Sequence, residues 1–350
     1  MVDVTKGRGI VAAAEPLAAG VGTDILRQGG NAIDAAVAIG FALAVTYPAA
    51  GNLGGGGFLV GSIGREKKQR SEISLDFREV APGAATSDMY TQAAAAGNRS
   101  ASLLGHLAAG VPGSVSGMLT ALDRWGTMPR RQVMEPARLL AQDGFLLPAR
   151  THRMLVASKK SMLHFEATAD TFFPDGKVIE EGKLFRQPDL ARTLEIIIER
   201  GIAGFYDGEV ADHIVIEMKR GGGLISAKDL LDYRPVERKP IRFHISNGSA
   251  VSMPPPSSGG ICLAQMSRML KRFNIGSTDA ESPQLYHLLA EVMRLSFADR
   301  NQYLGDPDHV ACPLEMLQDK KRLDRLAATI DRSSASSSAD LLKDSPPVKE

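Results

Sequence analysis

Residues 51–83 read GNLGGGGFLVGSIGREKKQRSEISLDFREVAPG. Four consecutive glycines, Gly54 to Gly57, lead into a strand expected at residues 58–63. The charged turn 64–70 joins it to a second strand expected at 73–77. That strand closes on Asp76, Phe77, Arg78 and Glu79 and runs into the turn Ala81-Pro82-Gly83. The glycine run lacks the Lys-Ser/Thr of a P-loop and the spacing of a dinucleotide fingerprint. It also opens a strand, so no helix N-terminus faces a ligand. It reads instead as a turn where two backbones approach closely. Arg78, flanked by Asp76 and Glu79 at a strand end, has two readings. It is either part of a structural ion-pair cluster, which spacing alone favours, or a planar fork offered to a substrate carboxylate.

The rest of the chain extends this pattern. A short strand is expected at residues 9–14, and a helix at 17–28 with Leu17, Val21 and Ile25 on one face, ended by Gly29-Gly30. Asn31 is placed to cap a helix at 32–45 that is apolar nearly all round and therefore buried. Helical spacing recurs at 115–125, 134–143, 189–200 and 209–220. Ser226 with Asp229 forms a capping-box pattern. Strands are expected at 239–246 and 250–253, then long helices at 257–273 and 282–303. This order indicates a layered α/β or α+β fold. No composition break appears before residue 330, so residues 1–330 are expected to form a single intertwined domain. Residues 331–350, rich in Ser, Asp, Lys and Pro, are expected to be a flexible tail.

Composition excludes several function classes. Of 350 residues, 41 are Lys or Arg and 40 are Asp or Glu, a net charge of +1 without any basic stripe, so no nucleic-acid partner is expected. The longest apolar run, 32–47, contains Asp34 and is shorter than the ~20 residues of a membrane span. Residues 1–8 carry Asp3, Lys6 and Arg8 and no signal-peptide core. The histidines (His106, His152, His164, His213, His244, His287, His309) show no metal-ligand spacing, so no metal is expected. Cys262 and Cys312 are expected to be buried free thiols, with a disulfide left open. No GxSxG marks a serine nucleophile, and Ser257-Ser258 is read as helix capping.

Seven segments occur in a telling order: QGGNAIDAAVA (28–38), GNLGGGGF (51–58), LDFREVAP (75–82), GVPGS (110–114), GGGLI (221–225), MPPPSSGG (253–260) and ADRNQYLGDPD (298–308). Together they resemble the large subunit of γ-glutamyltranspeptidases, over about residues 9 to 310. The resemblance implies an α+β fold, the αββα four-layer sandwich of N-terminal-nucleophile hydrolases, completed by a separate small subunit. It implies an enzyme, a γ-glutamyltransferase and glutathione hydrolase, made as a self-cleaving precursor. Its substrates would be glutathione or other γ-glutamyl compounds, with water, amino acids or peptides as acceptors. The catalytic residue would be the N-terminal Thr of the small subunit, with no catalytic residue in this chain and no cofactor. It assigns the donor's α-carboxylate to Arg78, with Asp76 and Glu79 as supports or simple strand-end charges. A periplasmic or secreted location is implied in the same way. The alternatives are a glutaryl-cephalosporin-type acylase and a catalytically inactive scaffold of the same fold. The sequence departs from many bacterial relatives at Tyr47-Pro48-Ala49-Ala50, where His-Pro-Gln-Ala is common, and at Ser87.

Overall fold

The computed structural model describes residues 2–5, 9–64, 70–245 and 248–339. It is a mixed α+β architecture whose described strands form one three-stranded sheet and small antiparallel pairs among many helices. The chain forms two compact units, each discontinuous in sequence: residues 1–57 with 76–236, and residues 58–75 with 237–350.

The first unit is built around the helix Ala32–Thr46. It packs against Pro16–Arg27 on one side and Arg130–Asp143 on another, and the latter packs on Pro188–Arg200. Phe41, Val37, Ala38 and Val45 are almost wholly shielded from solvent, as the all-round apolar pattern requires. The helix starts at a capping box: Asn31 Oδ1 accepts from the Ile33 and Asp34 amides (2.8 and 3.0 Å), and Asp34 Oδ2 accepts from the Asn31 amide (2.7 Å). Asn31 Nδ2 also donates to the Trp125 carbonyl (2.7 Å), which fixes the end of the helix Ser114–Trp125.

Asp34 reaches further than a cap. Its carboxylate is fully buried and accepts from the Thr127 amide (2.8 Å), the Thr127 hydroxyl (2.7 Å) and the Met128 amide (3.1 Å). Gly126 makes the approach feasible, since a Cβ there would lie 2.7 Å from Asp34 Oδ1. Burial alone would raise the carboxyl's pKa, but the bonds from Thr127, Asn31 and Met128 outweigh it and hold it below the usual range. The one charge in the apolar run is thus a hub that joins two helix ends.

The helix Arg130–Asp143 begins before the expected 134 and passes through Pro136. A proline removes an amide donor, yet Val133, Met134, Ala137 and Ala141 share one buried face that keeps the helix going. Periodicity also missed the helices Ala149–Met162 and Glu166–Phe172. Their burial is sparse, and their apolar positions form no clear stripe.

The second unit carries the paired strands Ile241–Ile245 and Gly248–Ser252, in register Ile241↔Ser252 to Ile245↔Gly248. These are offset from the expected 239–246 and 250–253. The helices Gly259–Leu270 and Pro283–Tyr303 pack on each other. Met269, Phe273, Val292, Leu295, Leu323 and Ala327 form an apolar cluster around them. Asp299 is gripped by both Arg322 Nη atoms (2.7 and 2.6 Å) and by Gln265 Nε2 (2.7 Å). Asp308 accepts a two-pronged pair from Arg238 (3.0 and 2.6 Å). The ADRNQYLGDPD segment is scaffold in this geometry. Ser258 sits at the helix N-cap but makes no capping bond; its hydroxyl accepts from Arg300 Nε instead (3.0 Å), which corrects the capping expectation. Both cysteines are free thiols; Cys262 is buried as expected, whereas Cys312 is only partly so.

The start of the expected tail is held in place. Ser336 donates to both Glu291 carboxylate oxygens through its amide (3.2 Å) and hydroxyl (2.8 Å). The rest of it, from Asp340, lies outside the described residues.

The Asp34 hub gives a pH-linked prediction. A depressed folded-state pKa contributes stability above the unfolded value, about 3.9, and loses it as pH falls through the folded value. Asp34→Asn is expected to destabilise at pH 7 by about 2–3 kcal/mol, as for hydrogen bonds to a buried charge. In thermal melts the gap from the parent protein should narrow near pH 3; an equal gap at both pH values would contradict the assignment.

Candidate active site

Arg78 lies at the end of the strand Ser71–Phe77, on an extended strap of residues 76–83 within the first unit. Its side chain is exposed. Among the described residues its guanidinium makes no ion pair or hydrogen bond, so the flanking carboxylates do not neutralise it. Asp76, which is buried, turns instead to the backbone: its Oδ1 accepts from the Arg78 amide (3.1 Å). Tyr233 donates its hydroxyl to the Arg78 carbonyl (2.9 Å). Both peptide groups of Arg78 are therefore fixed while its head is left available.

The strap is pinned along its length. Val80 and Val111 exchange backbone hydrogen bonds (3.3 and 2.8 Å). The Gly55 carbonyl accepts from the Gly113 and Ser114 amides (2.8 and 2.9 Å). The Gly83 amide donates to Asp229 Oδ1 (2.8 Å), and Asp229 also closes the capping box with Ser226. Burial would raise the Asp229 carboxyl's pKa, but the Ser226 and Gly83 bonds lower it on balance.

Glycine identity is required by contact. A Cβ on Gly113 would lie 2.1 Å from both the Phe77 carbonyl oxygen and the Tyr233 hydroxyl. One on Gly56 would lie 2.6 Å from the Phe77 oxygen and the Glu79 nitrogen and 2.7 Å from Glu79 Oε2. The Phe77 ring is held between Gly57 and Gly117, whose Cβ atoms would come within 2.8 and 2.1 Å of it. By contrast, Gly54 has only Asn52 Oδ1 at 4.0 Å. The glycine run and the GVPGS segment are thus two halves of one clamp on the strap.

Two other quoted features serve packing. Gly221 and Gly223 lie against His106, which bonds Glu217 (2.7 Å) and meets Phe165 edge-on (5.8 Å). Tyr47, at the departure from the family pattern, lies under Arg150 (4.9 Å to the ring) and accepts from it at 2.9 Å. In the second unit a 290 Å³ concavity is lined by Arg242, His244, Arg268, Lys271 and Lys320 among others. Its two arginines are already paired, with Glu72 and Asp324. Among the described residues no group of three or more His, Cys, Asp or Glu is placed to hold a metal ion.

The sequence model of the gamma-glutamyltranspeptidase family matches residues 18–349. This chain belongs to the gamma-glutamyltranspeptidase family. It is 41% identical over 339 residues to the glutathione hydrolase proenzyme of Escherichia coli (strain K12), covering 97% of this chain and 58% of that protein. It is 43% identical over 340 residues to the glutathione hydrolase proenzyme of Pseudomonas sp. (strain A14), with the same coverage. The chain thus spans about three fifths of the length of these relatives. The crystal structure of Helicobacter pylori gamma-glutamyltranspeptidase superposes with a TM-score of 0.92 at 38% identity, covering 96% of each chain. These agreements place the α+β fold in the N-terminal-nucleophile hydrolase class.

Sequence reading named Arg78, Asp76 and Glu79 but not Tyr206, Tyr233 or Gly113 as their surroundings. Tyr233 is 155 positions from Arg78, and nothing in one sequence links them. The clamp predicts a contrast between two glycines. Gly113→Ala should lower thermal stability by about 1–3 kcal/mol or more through overpacking. Gly54→Ala should lie within about 0.5 kcal/mol of the parent, as surface changes do. Equal melting temperatures for the two variants would contradict the clamp.

Proposed function

We propose that this chain is the large subunit of a heterodimeric γ-glutamyltransferase and glutathione hydrolase. Its partner would be a small subunit cut from the same precursor, with an N-terminal Thr as nucleophile. Arg78 is the chain's contribution to the reaction. One observation carries this reading: an exposed guanidinium without an ion partner among the described residues, on a backbone fixed from both sides. A guanidinium presents donors in a planar fork that matches a carboxylate. Holding the donor's α-carboxylate there would set where its γ-carbonyl lies. The Thr hydroxyl, with its own α-amine as base, would attack that carbonyl and expel the amine leaving group. Water or an amino-acid or peptide acceptor would then take the γ-glutamyl group from the Thr ester.

Asp76 supports this function by fixing the Arg78 amide, whereas Glu79, on the strap itself, lies against Gly56. The relatives' names, both proenzymes, support the two-chain origin. A periplasmic or secreted location accompanies this reading; among the described residues no helix is long and apolar enough to cross a membrane.

Two measurements test it. Intact mass spectrometry of the expressed full-length precursor under denaturing conditions should show a second, smaller chain beginning with Thr. A single uncut chain would favour the inactive scaffold. Arg78→Ala should raise KM for γ-glutamyl-p-nitroanilide about tenfold to a hundredfold, from the roughly 1.5–3 kcal/mol of a charge-assisted bond. An unchanged KM would remove Arg78 from donor binding. Faster turnover of glutaryl- than of γ-glutamyl-p-nitroanilide by the parent enzyme would favour the acylase.

A further inference from the structure

The strap of residues 76–83 has more attachments than an exposed strand end needs. Several of them converge on one short segment. Asp229 holds Gly83 at the strap's far end (2.8 Å), and the helix Ala227–Asp232 that begins beside it ends at Tyr233. Tyr233 then returns to the Arg78 carbonyl (2.9 Å). Residues 226–233 thus bracket the strap from its arginine to its turn.

Tyr233 is itself held. Its ring lies parallel to that of Tyr206 (5.8 Å between centroids, 10° between planes). Tyr206 donates to the Pro112 carbonyl (2.8 Å) and accepts from the Ser116 amide (3.3 Å). The adjacent Phe205 meets Tyr206 edge-on (5.0 Å). Both tyrosines are nearly inaccessible, at 4% and 5% exposure. The stacked pair therefore spans the clamp: one hydroxyl is bonded to the GVPGS segment, the other to the strap. A Cβ on Gly113 would lie 2.1 Å from the Tyr233 hydroxyl, so its missing side chain is what lets that hydroxyl reach Arg78.

We infer that Tyr233 is a positioning residue for donor recognition, setting the direction of the Arg78 fork through the Arg78 carbonyl while touching no substrate itself. This inference rests on the assignment of the donor carboxylate to Arg78. A buried hydroxyl bonded to a main-chain carbonyl fixes the peptide plane after Arg78, as Asp76 fixes the plane before it. With both planes fixed, the Arg78 Cα–Cβ direction is fixed too. With that direction fixed, the fork sweeps a narrower region although its own torsions stay free, so the effect belongs in donor affinity. Burial, with Tyr206, Asp76 and Glu79 nearby, pushes the Tyr233 phenol above its ordinary pKa.

The test is Tyr233→Phe in the assembled two-chain enzyme, beside Arg78→Ala. Phenylalanine keeps the stack and removes only the hydroxyl. KM for γ-glutamyl-p-nitroanilide should rise about threefold to tenfold, the worth of one neutral hydrogen bond, with kcat within about twofold. The kcat/KM for 4-aminobutyryl-p-nitroanilide, the γ-glutamyl donor without its α-carboxylate, should not change. If Tyr233→Phe leaves KM for the γ-glutamyl donor unchanged while Arg78→Ala raises it, the positioning role is overturned and the Arg78 assignment stands. If neither variant changes it, both fall. If Tyr233→Phe impairs the two donors equally, or lowers kcat along with the melting temperature, the hydroxyl is merely structural and the inference is overturned.

Discussion

The candidate site depends on one constraint: the peptide groups on both sides of Arg78 are satisfied by buried side chains. Asp76 takes the amide and Tyr233 supplies the carbonyl's donor. An exposed arginine is ordinarily a flexible cation that loses rotamer freedom whenever it binds. Fixing its backbone leaves those torsions free but fixes the Cα–Cβ direction from which they start. The tight glycine contacts, the Val80–Val111 bridge and the Asp229 grip on Gly83 all hold the same strap. Without them, the arginine would sit on an ordinary loop.

The same logic recurs away from the site. Asp34 joins two helix ends in the first unit, and Asp299 joins Arg322 and Gln265 in the second. In each case a buried carboxylate is fully engaged by donors, so its charge is compensated where it lies.

Much of this was legible in the sequence, unevenly. Asn31 as a cap, the Ser226–Asp229 box, the buried helix expected at 32–45 and the close-approach reading of the glycine run all follow from local rules, and the structure has them, the helix running one residue further. Asp34 was visible only as a blemish in an apolar run, because its partners Thr127 and Met128 are some 90 positions away. Ser258 obeyed the local rule in position but not in bonding, since Arg300 claimed its hydroxyl. Arg78 stood out through its neighbours, yet spacing pointed to an ion-pair cluster. Only the geometry shows Asp76 facing the backbone. Tyr206 and Tyr233 carry no local pattern at all, so their stack is information that only folding supplies.

The central claim is that the Arg78 fork is the donor-carboxylate site. The most direct measurement is a crystal structure of the assembled two-chain enzyme with glutamate bound. The account predicts both α-carboxylate oxygens within hydrogen-bond distance of the Arg78 guanidinium, with the Tyr233 hydroxyl still on the Arg78 carbonyl. Glutamate bound with its α-carboxylate on other residues, and the Arg78 guanidinium turned to a protein carboxylate, would contradict it.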